Sequence, residues 1–213
     1  MSEFRDFIKD FPNRCSDVLK FAFPQALDCD REVTLLLMAA AAAFVIPFER
    51  LRSDNHPTGD PQQYNEVVST LISILGKPFL GGPFWPKAPA SWKIGESDTV
   101  SGRPDLWPNF AARSEPTQNT PASQILAILR NALSHGNLYI CGSQGQISEI
   151  VFVAEKRCKT CGSVVCYRFA CVTPDDFHKF LNQWFEYVGQ QDLPQNAVSI
   201  ALSAEGITRP VER

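Results

Sequence analysis

No stretch of this chain is apolar for long enough to cross a bilayer. The longest apolar run, Thr34 to Ile46, has 13 residues, against the roughly 20 that a membrane helix needs. It leads into Pro47 and then the charged pair Glu49 and Arg50. A buried core helix fits that pattern, and no membrane partner is expected. Strong charge of either sign is also missing. A formal net charge of −3 over 213 residues excludes a protein that coats nucleic acid by bulk charge, but leaves room for a small local basic site. The first residues, MSEFRDFIKDF, are charged and lack the apolar segment of a secretory signal. The seven cysteines are an odd count, so a reduced, cytoplasmic chain is expected, its thiols free or metal-bound. Internal repeats and low-complexity tracts are absent. The Gly81–Gly82 pair lacks the strand–loop–helix setting of a phosphate cradle.

What remains is globular. Hydrophobic residues make up 44% and charged residues 20% of the chain, values of a protein with a sizeable core. The length suits one domain, or one domain with an elaboration.

The first half reads as helical. Ser2 is placed to cap a short helix through Asp10, and RCSDVLKFAF suggests a second helical piece ending before Pro24. A long helix follows from Arg31 to about Ile46, preceded by Asp28 or Asp30. It is apolar on most faces, hence central in a bundle, and Pro47 ends or kinks it. Ser53 to Pro61 is a loop. Pro61 then opens a helix whose stripe is Val67, Leu71, Ile74 and Leu75, closed by Gly76. Residues 77–120 hold seven prolines together with Trp85, Trp92 and Trp107. Three tryptophans mean a segment that packs on something, so we read an ordered insertion over the bundle, with one short helix near Pro108–Arg113.

A further helix restarts at Thr120 and Pro121, carries Ile125, Ile128, Leu129 and Leu133 on one stripe, and stops at Gly136. The period then changes. NLYICG, QISEIVFVAEK and SVVCYRFACV predict a three-stranded antiparallel meander, with turns at Ser143–Gly145 and at CKTCG. A helix capped by Thr173 and opened by Pro174 buries Phe177, Phe180, Leu181, Trp184 and Val188. A last strand, 197–203, is expected to close the sheet. The fold class is thus α+β: an antiparallel helical bundle over residues 1–137, with the insertion at 77–120, and a β-meander plus helix over 138–213.

The chemistry concentrates in ILRNALSHGN, residues 128–137. Arg130 and His135 are five apart, about 140° around an ideal helix, so they cannot meet on one face of one helix. Asn131 and His135, four apart, share a face, and Asn131 is placed to orient the imidazole. Ser134 shares a face with Arg130. Two copies of this helix end about a two-fold axis would collect an Arg and a His from each chain in one cleft. Guanidinium holds phosphate through forked donors, and imidazole is the side-chain type that titrates near neutral pH. These parts suffice for RNA cleavage without a metal. The plain alternative is that cationic residues sit at a helix C-terminus because the helix dipole favours them there.

The motif Arg130, Asn131 and His135, with four residues between Arg and His, resembles the signature of HEPN-domain ribonucleases. With PFERL (Pro47 to Leu51), the helix end and the DFHKFLNQWF helix, the chain is more narrowly similar to the plasmid-associated p136-like HEPN group. The resemblance implies a helical bundle that dimerises around a composite ribonuclease site. It implies RNA as substrate, no cofactor, and a toxin or defence setting in which a cognate antitoxin is a further partner. Some members of the family carry a Tyr two residues after the His; here that position is Asn137, and the nearest tyrosine is Tyr139. Glu49 and Arg50 are second-tier candidates for the same cleft, as are Ser134 and Tyr139.

The thiols are a separate question. Cys158 and Cys161 form a C-x-x-C knuckle, followed by Cys166 and Cys171. Four thiolates can hold zinc, but structural zinc sites usually pair two knuckles. Cys166 and Cys171 are five apart in a strand and so face opposite ways. A hairpin turn with free thiols is the favoured reading; a redox role ranks below it, because no βαβ context surrounds the pair. Neither His56 nor His178 has a second ligand at metal spacing. The leading expectation is a homodimeric, metal-independent endoribonuclease. Two other readings stand beside it: a non-catalytic module that binds a nucleotide or a protein, and a zinc-stabilised interaction protein.

Overall fold

The computed structural model describes residues 7–50, 75–81, 91–143, 145–158 and 160–190. Helices α1 (Phe7–Asp28) and α2 (Glu32–Arg50) come first, then strand β1 (Lys93–Ser97). Two single turns of 3-10 helix follow, Pro104–Leu106 and Phe110–Ala112. Helix α3 (Ala122–His135), strands β2 (Leu138–Ser143), β3 (Gln146–Arg157) and β4 (Val164–Val172), and helix α4 (Pro174–Gln190) complete the order. The four strands form one antiparallel sheet in the order β1-β4-β3-β2, so the protein is α+β. No helix among the described residues is long and apolar enough to cross a membrane.

Three sequence expectations are corrected. The two N-terminal helical pieces are one helix, because α1 runs through Pro12 and Pro24. Proline removes one backbone hydrogen bond per position, but burial of an amphipathic face carries most of a helix's stability. Leu19 and Ser16 bury that face, and Pro12 is buried with them. The long helix likewise continues past Pro47 to Arg50 instead of ending near Ile46. It is also less central than its composition suggests: Val33, Leu36, Ala40, Ala43 and Phe44 are buried, while Met38 is exposed. Finally, the meander's fourth strand is β1, supplied by the Pro/Trp-rich insertion, which pairs Lys93–Ser97 with Tyr167–Cys171. The expected strand at 197–203 lies outside the described residues, as do Ser2, the loop at 53–61 and all but the end of the helix at 62–76.

The other local readings hold. Thr173 caps α4, its hydroxyl accepting from the Asp176 N–H at 3.4 Å. Phe177, Phe180, Leu181, Trp184 and Val188 are all buried, with Phe185 added. The α3 stripe Ile125, Ile128 and Leu129 is buried. Helix α3 begins one residue later than Pro121, and the Lys77 carbonyl accepts the N–H of Ala122 at 2.8 Å. That contact satisfies one of the donors a helix start leaves open.

The sheet is covered on both faces. On one, α2, α3 and α4 enclose Ile150, Phe152, Ala154, Ala170 and Val172. Aromatic rings dominate this core: Trp92 lies 5.3 Å from Phe180 and 5.1 Å from Phe79, and Phe152 lies 5.1 Å from Phe177, between centroids. On the other face, Trp107 and Phe110 of the insertion cover Val151, Val153, Phe169 and Cys171. Arg113 locks this cover in place. Its Nη2 donates to both carboxylate oxygens of Glu149 at 3.2 and 3.0 Å, and its guanidinium sits 4.2 Å from the Phe110 ring centroid. Both partners are 19% exposed, so the pair escapes most of the screening that weakens surface ion pairs.

Gly95 pairs directly with Phe169 across β1 and β4. A Cβ added there would lie 2.5 Å from Cζ of the Phe169 ring, and that ring is fully buried and cannot move aside. Gly95→Ala is therefore expected to cost about 1–3 kcal/mol, the usual penalty of overpacking. Thermal unfolding should show a midpoint lower by several degrees; an unchanged midpoint would contradict this packing.

His178 on α4 stacks on Phe23 of α1 at 3.7 Å. Burial pushes its pKa below the ordinary 6.5, with Asp175 pulling weakly the other way. The unfolded chain thus takes up this proton at a higher pH than the folded one. The contribution is complete above about pH 6.5 and is lost as pH falls through the folded value. Melting between pH 7.5 and 5.5 should show a drop that is smaller in His178→Phe, which keeps the stack but cannot protonate. Parallel slopes for the two proteins would rule the effect out.

Candidate functional site

The site begins with what α3 leaves unburied. Its apolar stripe, Ala122, Ile125, Leu126, Ile128, Leu129 and Ala132, is spent on the core. At the helix's C-terminal end, Arg130 and Asn131 stay half-buried and Ser134 and His135 are exposed. Gly136 ends the helix at φ +70°, a left-handed conformation natural to glycine, with its N–H on the Ala132 carbonyl. The Asn137 N–H bonds the same carbonyl at 2.9 Å. The chain is thereby turned straight into β2, and the Asn137 carbonyl accepts the N–H of Val153 on β3 at 3.0 Å.

The strand register then builds the rest. Leu138, the first residue of β2, pairs with Phe152, yet β3 continues to Arg157. The end of β3 therefore overhangs β2 and runs beside the end of α3. Asn131, His135, Asn137, Ala154, Glu155 and Arg157 together line an open, mostly polar pocket of about 510 Å³.

Within it, Asn131 and His135 share a face, as their four-residue spacing requires. The Asn131 amide oxygen accepts from Nη1 of Arg130 at 3.2 Å, which ties the guanidinium to a pocket residue. Arg157 is bonded to the Glu155 carboxylate and donates from Nη1 to the Gly162 carbonyl at 3.0 Å. The pocket thus gathers an imidazole, two amides, a guanidinium and a carboxylate. That set can bind a phosphoryl group and move a proton beside it.

Other candidates lie elsewhere. Tyr139 packs edge-on against Trp107 at 4.8 Å, and its hydroxyl donates to the Val100 carbonyl at 3.2 Å, within the insertion's core. Glu49 and Arg50 close α2; their side chains, and His56, lie outside the described residues. Cys166 donates toward Glu96 at 3.6 Å, whereas Cys171 is buried in the insertion-side core. Among the described residues, no three His, Cys, Asp or Glu side chains are gathered as a metal ion requires.

The sequence reading missed Glu155, Arg157 and the pocket role of Asn137. The signal was the unequal length of the paired strands: NLYICG is short and QISEIVFVAEK long, so a tight hairpin at Ser143–Gly145 sends the excess of β3 back past Gly136.

In comparisons with known proteins, the family model described as HEPN pEK499 p136 matches residues 1–195. Searches of curated proteins and of solved structures returned no match.

Proposed function

This chain belongs to the HEPN pEK499 p136 family, and from that premise we propose that it is a metal-independent endoribonuclease acting as a homodimer in the cytoplasm. The observation that carries the reading is the pocket at the end of α3, in which Asn131 and His135 face one open space and Asn131 holds Arg130. His135 exchanges a proton with the ribose 2′-OH or with the leaving 5′-oxygen. Arg130 stabilises charge building on the phosphoryl oxygens, and Asn131 orients the two. Attack by the 2′-oxygen breaks the P–O5′ bond and leaves a 2′,3′-cyclic phosphate and a 5′-hydroxyl. A second copy of α3 supplies the further Arg and His. The setting is that of a toxin or defence module, with an antitoxin as regulatory partner.

A non-catalytic module that binds a nucleotide or a protein is the second reading. It is favoured by Arg157 already being engaged by a carboxylate within the pocket and by the net charge of −3.

The test is incubation with single-stranded RNA in excess EDTA, with the RNA ends identified. Cyclic-phosphate ends should form, and His135→Ala and Arg130→Ala should each slow cleavage by about 10²–10⁴-fold. Cleavage that survives His135→Ala, or that stops in EDTA, defeats the mechanism. RNA or nucleotide binding without turnover supports the second reading.

A further inference from the structure

The turn between β3 and β4 carries two thiols that the proposed reaction does not use. Cys158 and Cys161 sit in a tight reversal: the Cys158 N–H bonds the Ser163 carbonyl at 2.8 Å, and the Gly162 N–H bonds the Cys158 carbonyl at 3.0 Å. Gly162 holds the left-handed φ of +73° that the reversal needs. This fold of the chain sets a hydroxyl group beside each sulfur. The Thr160 hydroxyl lies 3.2 Å from Cys158 Sγ. Cys161 Sγ in turn lies 2.9 Å from the Ser163 hydroxyl. Cys161 is exposed and Cys158 half-exposed, so a small molecule reaches both.

We propose that Cys158 and Cys161 form a redox-active dithiol that closes to an intramolecular disulfide by exchange with a small-molecule disulfide, and that closure repositions Arg157 in the wall of the His135 pocket. Cys158 is the attacking sulfur, because a donor-rich, solvent-accessible setting stabilises its thiolate. Hydrogen bonding, foremost with the Thr160 hydroxyl, draws its pKa down to about 6. Burial pushes Cys15, Cys141 and Cys166 upward and Cys171 to about 12.

The exchange balances in two steps. The Cys158 thiolate attacks one sulfur of the small disulfide, the S–S bond breaks, and one thiolate leaves. Cys161 then loses its proton and attacks Cys158 Sγ, expelling the second thiolate. Two protein thiols have given up two electrons and two protons, and the small disulfide has become two thiols. Closure brings the two sulfurs to a bond of about 2.05 Å. The moved backbone includes Gly162, whose carbonyl holds Nη1 of Arg157. The dithiol stands independently of the ribonuclease reading; only the site it influences is shared.

The reduced full-length protein, freed of reductant, is incubated with oxidised glutathione and followed by intact mass and peptide mapping. The expected product has lost two hydrogens and carries a Cys158–Cys161 linkage. Cys161→Ser should instead trap one glutathione on Cys158, about tenfold faster than on the exposed Cys29. Cys158→Ser should abolish the fast reaction, and Thr160→Ala should slow it. A wild-type protein in which Cys158 reacts no faster than Cys29, or whose adduct never resolves, overturns the proposal. So does purified protein with stoichiometric zinc on these thiols. The side-chain amide resonances of Asn131 and Asn137 should shift between the reduced and oxidised forms; unchanged resonances overturn the link to the pocket.

Discussion

A sheet whose central strands are apolar on both faces has to be covered twice. Strands β3 and β4 put Ile150, Phe152, Ala154, Ala170 and Val172 on one face and Val151, Val153, Phe169 and Cys171 on the other. Antiparallel sheets often leave one face to water; this one does not. The helices, with Phe79 and Trp92, enclose the first face, and Trp107 and Phe110 of the Pro- and Trp-rich segment enclose the second. Its prolines limit the unfolded chain's freedom. Trp107 and Phe110 supply the buried area, and Arg113 fixes the cover to Glu149 on β3. The same segment blunts an edge, because β1 takes up the open hydrogen bonds of β4.

The pocket inherits its geometry from that arrangement. Strand β3 is long because it pairs with β4 as far as Arg157, whereas β2 starts directly after the Gly136 turn. The difference in length lays Glu155 and Arg157 beside His135. A side chain on the end of a helix and two on a strand are thus brought together by register rather than by any local motif. The site rests on rigid elements, which hold functional groups more closely than loops do.

Legibility in the sequence follows the range of the interaction that decides each feature. The end of α3, its Gly136 cap and the buried face of α4 depend on spacing within one element, and all three were readable. The helix ends expected at Pro24 and Pro47 were not realised, since α1 and α2 run through those positions. β1 was hidden: KIGES has no alternation and sits among prolines, and only its partner Phe169, lying over Gly95, explains it. The burial of both sheet faces had a visible trace, the unbroken run Ile150 to Ala154, which departs from the alternation of a half-exposed strand. Arg130, Asn131 and His135 could be picked out from one helix turn; Glu155 and Arg157 needed the hairpin register as well.

The guanidinium groups at the pocket already have partners within one chain. Arg157 is engaged by Glu155 and by the Gly162 carbonyl, and Arg130 is engaged by Asn131. A phosphodiester entering this space meets a guanidinium whose charge is already matched by a carboxylate. It must displace that partner, and separating a close ion pair offsets much of what the new contact contributes. In the proposed homodimer this balance would change, because the second copy of α3 would add its own Arg130 and His135 to the cleft. On that reading, subunit association would serve to bind the substrate's charge as well as to complete the proton-transfer pair. Any movement of the β3–β4 turn that loosens Arg157 from Glu155 acts on the same balance from within the chain.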